Sequence, residues 1–184
     1  MSSRSRVYAT SGLCWLALLC VAADGSAAGF RGVEWGAGKA EVLAIEKHQL
    51  HHDIDGEVAY WNFEFAGVEA GLVYTFDDGK LVRAHYLSRH RTNDPSEDLA
   101  DYESFKGALD EHFGPHLAET WVWADGAVHS ADEQTLAALT SGAAELVARW
   151  DLEDSDVKLL IAGSEGVIQT VRAIFEPKQV SGGG

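Results

Sequence analysis

Cysteine, methionine, proline and basic residues are all scarce in this chain of 184 residues. It contains 2 Cys, 1 Met and 3 Pro, against 29 Asp and Glu. Both cysteines, Cys14 and Cys20, precede residue 28, so the remainder has no disulfide, no thiolate ligand and no thiol nucleophile. Thiol chemistry is therefore excluded there, and stability must come from the packing of side chains.

Long apolar runs are also missing. The longest, Leu13 to Ala23, is about half of the roughly 20 residues that a membrane-spanning helix needs. It follows two arginines and precedes the small residues Ser26-Ala27-Ala28, which is the pattern of a secretory signal peptide. We expect residues 1–28 to be removed, with Val21-Ala22-Ala23 as a second possible cleavage point. The prediction is a protein that is periplasmic or secreted and not inserted in the membrane.

Positive charge is the other scarce quantity. Without residues 1–28 the chain has 12 basic and 28 acidic residues, a formal charge of −16. Such a protein is repelled by nucleic acid and by anionic lipid, and it suits a basic partner or simply a solvated acidic surface. The length predicts one domain at 29–176, followed by a disordered tail at 177–184.

The stretch from Glu57 to Arg91 contains three runs of β-branched and aromatic residues, separated by short turns that contain glycine. This pattern predicts an antiparallel meander. A first turn at Ala66-Gly67 predicts that Trp61 lies opposite Leu72 on the neighbouring strand.

For the second turn we favour a three-residue loop at Asp77-Asp78-Gly79, which pairs Phe76 with Lys80. A two-residue Asp-Gly turn would instead place Arg83 and His85 against the aromatic core. Burying unpaired cations there would cost more than it returns, so we disfavour the shorter turn.

The resulting register divides the meander into two faces. The apolar face is predicted to carry Trp61, Phe63, Phe65, Leu72, Tyr74, Phe76, Val82, Ala84 and Tyr86. The mixed face is predicted to carry Tyr60, Asn62, Glu64, Glu69, Val73, Thr75, Leu81, Arg83, His85 and Arg89. We predict that the mixed face binds a protein partner, through Tyr60, Arg83, His85 and Arg89.

The rest of the chain reads as helices and further strands. Asp94 before Pro95 is the best helix start, and apolar residues at helical spacing continue the pattern to Gly114-Pro115. The other predicted elements are an edge strand at 30–35, a helix at 39–49, a polar connection at 51–56, a strand at 116–124, a small helix opened by a capping box at 130–133 and closed by Gly142, and strands at 144–152, 157–162 and 167–176.

This order predicts an α+β domain of two repeats, at about 30–91 and 92–176. Each repeat has a helix followed by an antiparallel meander, and each offers only one apolar sheet face. We therefore expect both repeats to share one core, with the helices packed on one face of a curved sheet.

Three runs carry a family resemblance: FRGVEWGAGKAEVLAIE at 30–46, YTFDDGKLVRAHY at 74–86, and YESFKGALDEHFGPH at 102–116 with the following WVW at 121–123. They resemble exported bacterial domains of the β-lactamase-inhibitor-protein-like kind. They are also similar to the small lipoprotein of the outer-membrane β-barrel assembly machinery. The resemblance implies two helix-and-sheet repeats whose curved sheet binds another protein.

Two further predictions concern residues outside the mixed face: two more partner-binding residues and an alternative function. Trp121 and Trp123 are alternate residues of one predicted strand, so they share a side and could anchor a partner. Zinc or copper binding is the alternative function, through His48, His51, His52 and Asp53, although their spacing matches no metal signature. We predict neither a cofactor nor an enzyme, since no nucleophile, acid pair or phosphate loop has a convincing context.

Overall fold

The computed structural model of the protein describes residues 29–89 and 94–178. The predicted signal peptide lies outside the described residues, as do Arg91 and the chain beyond residue 178. Of the predicted tail at 177–184, the structure describes only the first two residues. Pro177 ends a strand, and the backbone N–H of Lys178 donates to the carbonyl of Asp154 at 3.0 Å.

Three α-helices occur in the described residues: α1 (Lys39–Ile45), α2 (Pro95–Phe113) and α3 (Leu136–Ser141). The start and stop predicted for α2 are confirmed, because the Asp94 carboxylate accepts the N–H of Ser96 at 3.0 Å and Gly114 ends the helix. Helix α3 begins later than predicted, since Thr135 rather than Ser130 caps it. None of the three is long and apolar enough to cross a membrane.

The strands of the described residues form two antiparallel sheets. A small hairpin consists of β1 (Gly29–Phe30) and β2 (Val33–Glu34). The large sheet contains β3 (Leu50–Ile54), β4 (Glu57–Phe65), β5 (Val68–Asp77), β6 (Lys80–Ser88), β7 (Ala118–Trp123), β8 (Ala144–Asp151), β9 (Ser155–Ser164) and β10 (Val167–Pro177). Its order is β3-β4-β5-β6-β10-β9-β8-β7, so two meanders meet where β6 pairs with β10. The α+β class is confirmed.

Strand β3 replaces the predicted polar connection at 51–56. It pairs with β4, with His52 opposite Ala59 and Ile54 opposite Glu57. This strand is polar and lies at the edge of the sheet, where its side chains are mostly exposed. Apolar alternation, the signal used for the other strands, is therefore missing from it.

A β-bulge in the first hairpin reverses part of the predicted register. The turn predicted at Ala66-Gly67 is confirmed, because Phe65 pairs with Val68, but the register shifts between Tyr60 and Phe63. Tyr60, and not Trp61, consequently lies opposite Leu72. Asn62 has a φ of 59° at this bulge, in the left-handed region that asparagine tolerates better than most residues. The predicted positions of Tyr60 and Trp61 are therefore exchanged.

The predicted three-residue loop at 77–79 is also wrong. Asp77 pairs directly with Lys80, which leaves a two-residue turn. Both turn residues, Asp78 and Gly79, have positive φ, at 49° and 75°. This is the combination that a tight hairpin turn of type I′ requires.

A second bulge nevertheless keeps the two cations away from the core. The register shifts after Thr75, so that Thr75 lies opposite Arg83 and Val82 has no paired partner. Leu81 is then buried on the core side in place of Val82. Arg83 and His85 stay on the other face, as predicted, because of the bulge rather than because of a longer turn.

All three α-helices and the small hairpin lie against one face of the large sheet, here called the helix side. Tyr102 and Phe105 of α2, Leu139 of α3 and Phe30 of β1 belong to one buried cluster. The strand residues of this cluster include Leu72, Tyr74, Ala84, Tyr86, Ala148, Trp150, Leu159, Ile161, Ala173 and Phe175. These residues alternate along their strands, so the opposite side chains point away from the helices.

Candidate functional site

The face of the large sheet opposite the helices, here called the open face, is the candidate site. Two rows of residues cross its middle, and we call them the central rows. The first contains Gly71, Leu87, Arg172, Leu160, Val147 and Thr120, and the second contains Ala59, Val73, His85, Ile174, Lys158 and Arg149. None of them belongs to the buried cluster of the helix side. The open face is therefore a second, separate layer of side chains.

The border of the open face is acidic, and its cations are paired. The Nη2 atom of Arg83 lies 2.5 Å from Oε1 of Glu176. The Nη1 atom of Arg89 lies 3.2 Å from Oε1 of Glu69. Asp156 lies opposite Glu176 and adds a further carboxylate to this border. The central rows, by contrast, contain no Asp or Glu.

Three cations of the central rows have no such partner. Arg149, Lys158 and Arg172 form no salt bridge with any carboxylate in the part of the chain that the structure describes. Arg149 and Lys158 lie directly opposite each other across β8 and β9, an arrangement of like charges that destabilises a sheet. Arg172 donates through Nε to Oγ1 of Thr170 at 3.3 Å. The centre of the open face is thus positive in a chain whose formal charge is −15.

His85 lies among these cations. Burial, together with the positive charges of Arg172 and Arg83, lowers the pKa of its imidazole from 6.5 to about 4. Its Nδ1 atom is buried and has no hydrogen-bond partner within the described ranges. The ring is therefore neutral at pH 7 and carries one unsatisfied nitrogen.

An aromatic corner lies at the β4 end of the open face. The indole of Trp61 occupies the space above Gly71, where a Cβ atom would come within 1.8 Å of the indole ring. The guanidinium carbon of Arg89 lies 4.7 Å from the centre of a Trp61 ring, which is cation–π distance. The ring of His51 is 4.9 Å away on centroids, and a shallow pocket of about 260 Å³ opens beside them.

The predicted contact residues are only partly brought together. Arg83, His85 and Arg89 lie on the open face, but Tyr60 does not. The first bulge turns Tyr60 to the helix side, where it is 2% exposed, so the prediction that Tyr60 lines the mixed face is wrong. Trp61 takes its place at the surface.

Trp121 and Trp123 share one side of β7, as predicted from their spacing. They lie opposite Leu146 and Ala144, on the helix side. Their rings are 6.2 Å apart, and the ring of His129 stacks on Trp123 at 4.0 Å. The two tryptophans therefore form an aromatic stack at the sheet edge and are not continuous with the open face.

The predicted metal ligands, His48, His51, His52 and Asp53, do not converge on one point. His52 and Asp53 are neighbours on β3 and point to opposite faces. The Nε2 atom of His52 lies 2.8 Å from Oε1 of Glu57, whereas Oδ1 of Asp53 lies 2.6 Å from Nζ of Lys39. No group of three or more metal-ligating side chains occurs in the residues that the structure describes.

A buried polar network on the helix side was not predicted. The side chain of Glu46 is 2% exposed and accepts from Nε of Arg31 at 2.8 Å and from the hydroxyl of Tyr74. Burial alone would raise the pKa of this carboxyl, but the hydrogen bonds from Arg31 and Tyr74 hold it below its ordinary value. Arg31 belongs to the β1–β2 turn, so the network clamps this hairpin to the sheet.

Sequence reasoning also missed Arg149, Lys158 and Arg172. Each sits between apolar residues in a strand that was predicted, so alternation alone would have placed them opposite the core. These three residues are close together because of the register in which β8, β9 and β10 pair. That register is set by the geometry of the turns between the strands, and alternation alone does not predict it.

Comparisons of this chain with protein-family models, with curated proteins and with solved structures find no match. Function must therefore be inferred from the geometry of the open face.

Proposed function

We propose that this protein is a non-enzymatic binding module that docks a protein partner on the open face of its large sheet. The observation that carries the proposal is the placement of every α-helix of the described residues, and of the small hairpin, against the other face. A sheet with one covered and one uncovered face leaves a broad, rigid surface for recognition.

The composition of the open face supports a protein partner rather than a small molecule. Its middle combines aliphatic side chains with arginines, and Trp61 and Arg89 stack at one corner. Tryptophan and arginine are the residues most enriched among those that dominate binding energy at interfaces. The pocket beside Trp61 is shallow and lies at the edge, so a flat docking surface fits the face better than an enclosed ligand site does.

The proposal includes export and an internal duplication. The pattern at 1–28 supports transfer to the periplasm or out of the cell. A helix followed by a meander occurs in both halves of the described chain, and this order supports tandem repeats at about 30–91 and 92–176. The resemblance to β-lactamase-inhibitor-protein-like domains supports a binding role.

Photo-crosslinking from defined positions tests the docking face. A benzophenone amino acid is placed at Leu87 or Leu160, on the open face, and the full chain is irradiated in its native cellular fraction. Both positions should yield the same crosslinked protein, identified by mass spectrometry, because one partner covers both strands.

Matched positions on the opposite side provide the control. Leu43 and Ile45 of α1 are 38% and 42% exposed and lie on the helix side. They should not capture that protein. Capture of the same partner from Leu43 and Ile45, with none from Leu87 or Leu160, would overturn the proposal.

A further inference from the structure

The three unpaired cations at the centre of the open face call for an explanation, because most other basic groups of the described chain meet an acid. The side chains that contact a carboxylate are Arg31, Lys39, Arg83, Arg89, Lys106 and Lys178. With 29 acidic and 14 basic residues in the chain, acids are in excess. Among the described residues Lys47 and Lys80 also lack an ion pair, but only Arg149, Lys158 and Arg172 lie together on adjacent strands, and the composition does not predict this grouping.

The fold itself gains nothing from this arrangement. Arg149 and Lys158 are directly opposite, and Lys158 and Arg172 are diagonal neighbours on β9 and β10. Directly opposite residues on one face have Cβ atoms about 5 Å apart and diagonal neighbours about 7 to 8 Å apart, distances at which long side chains of like charge still repel. Because the central rows contain no carboxylate, the repulsion between their cations raises the free energy of the unbound protein. A bound anion would lower it.

The neighbours of the cations define the shape of a fitting ligand. Leu160 lies opposite both Arg172 and Val147, and Ile174 lies opposite Lys158. Val147 lies two residues before Arg149 on the same face of β8, so each of the three cations has an aliphatic side chain beside it. A ligand that matches this pattern presents carboxylates separated by apolar groups.

The acidic border limits the ligand further. Carboxylates such as Glu176, Asp156 and Glu69 flank the central rows. A broad polyanion, such as a nucleic acid or an anionic membrane, would meet these carboxylates and the overall negative charge of the protein. A narrow segment that follows the central rows avoids the border carboxylates, and it carries fewer negative charges for the net charge of the protein to repel.

We propose that the partner binds the open face through an acidic, amphipathic protein segment whose carboxylates pair with Arg149, Lys158 and Arg172 while its aliphatic side chains pack on Leu87, Leu160 and Ile174. This inference rests on the proposed function and adds the chemistry of the partner. It also reverses the expectation from net charge alone, which favours a basic partner.

Fluorescence anisotropy with three labelled synthetic peptides of equal length tests this chemistry on the full chain. The probes repeat Leu-Leu-Glu-Glu, Leu-Leu-Lys-Lys and Gly-Gly-Glu-Glu, here called the Leu-Glu, Leu-Lys and Gly-Glu peptides. Because side chains of an extended peptide alternate between its two faces, each repeat presents both of its residue types on each face. The Leu-Glu peptide should bind most tightly, because it alone supplies both carboxylates and apolar groups. Binding of the Gly-Glu peptide with equal affinity, or preference for the Leu-Lys peptide, would overturn the proposal.

A pair of matched triple variants separates the local site from net charge. Arg149→Gln/Lys158→Gln/Arg172→Gln should weaken binding of the Leu-Glu peptide by at least about tenfold, because charge pairs at a desolvated contact are lost. Lys39→Gln/Lys47→Gln/Lys80→Gln removes the same charge elsewhere and should change affinity by less than about twofold. Equal losses in both triples would overturn the proposal. Melting temperatures report folding, and the single variant Lys158→Gln, with a smaller loss expected, replaces the first triple if that triple unfolds.

Two further experiments identify the source of the anion and separate failure of this inference from failure of the docking proposal. Phosphatidylglycerol vesicles, compared with phosphatidylcholine vesicles, and inorganic phosphate should not displace the Leu-Glu peptide; displacement by either overturns the protein-segment assignment. If crosslinking from Leu87 and Leu160 persists undiminished in the first triple variant, the partner chemistry is wrong and the docking face stands. If the wild-type protein gives no open-face crosslink, the docking face itself fails.

Discussion

On the helix side of the large sheet, the buried carboxylate of Glu46 is matched by Arg31 and Tyr74, whereas on the open face Arg149, Lys158 and Arg172 have no carboxylate partner among the described residues. Both regions contain charge on the same sheet and within the same chain. The difference follows solvent access, because an unpaired charge is costly where it is buried and is tolerated where water reaches it. Four substitutions test this contrast.

The largest expected effect is on the helix side. Glu46→Ala removes the carboxylate and leaves Arg31, whose side chain is 21% exposed, without its partner. Breaking a buried ion pair in this way should lower the free energy of unfolding by about 3 kcal/mol. Urea unfolding followed by tryptophan fluorescence measures the loss. Glu64→Ala, at an exposed position of β4, is the control and should change the free energy of unfolding by less than about 0.5 kcal/mol. A similarly small effect of Glu46→Ala would show that the hydrogen bonds of Glu46 with Arg31 and Tyr74 do not hold the small hairpin against the sheet.

The next effect depends on pH and on His85. The pKa of His85 is about 4 in the folded protein, against the ordinary value of 6.5 that it takes when the chain is unfolded. The unfolded state therefore binds the proton first, and stability that is present above pH 6.5 is lost as the pH falls towards 4. The loss approaches about 1.4 kcal/mol per pH unit within this window.

His85→Gln removes this contribution, so the variant should lose less stability than the wild type between pH 6.5 and 4, by about 2 to 3 kcal/mol at the acidic end. Urea unfolding at a series of pH values measures the difference. His112→Gln, at an exposed position of α2, is the control and should not reproduce it. Parallel curves for His85→Gln and the wild type would show that burial and the nearby cations do not disfavour protonation of His85.

Gly71→Ala should perturb the open face without touching the helix side. The added Cβ would meet the ring of Trp61 at 1.8 Å and force the indole away from Arg89. Displacing a packed ring typically costs about 2 kcal/mol. In a Trp61→Ala background the same change should cost much less, and this double-mutant cycle is the measurement. An equal cost in both backgrounds would mean that Trp61 does not occupy this space.

The smallest effect is a gain. Lys158→Gln relieves the repulsion between Lys158 and Arg149, and should be more stable than Lys80→Gln by about 0.5 kcal/mol at low ionic strength. Both variants lose one positive charge, so net charge does not contribute to the difference. The difference should shrink in 1 M salt, where the screening length falls to about 3 Å. A less stable Lys158→Gln protein would show that Lys158 has a partner in the unbound protein.

Local signals predicted much of the fold. Helix α2 follows from the Asp94 cap, Pro95 and the Gly114 stop, because these residues act on their own neighbours. The strands of both meanders follow from alternation of apolar residues. Strand β3 escapes this signal, since its place at the edge removes the need for one apolar face.

The site was harder to predict, because faces depend on register. Because Val82 is unpaired at the second bulge, Leu81 takes the core-side position predicted for Val82. The same bulge keeps Arg83 and His85 on the open face. The bulge before Phe63 turns Tyr60 to the helix side and Trp61 to the open face. The only local sign of this bulge in the sequence is Asn62, a residue type that tolerates positive φ. Residues that belong together on the open face come from distant strands, and no local pattern records their neighbours.

The seam between β6 and β10 affects how the protein reaches its native state. The hydrogen bond between Arg83 and Glu176, beside this seam, joins residues 93 positions apart in the chain. Closing a loop of that size costs conformational entropy, and proteins with many contacts between distant residues fold slowly. One edge of β6 therefore stays unpaired until β10 has been synthesised, because β10 is its only other partner in the sheet of the described residues. The large sheet can be completed only after the ribosome has synthesised residues up to 177.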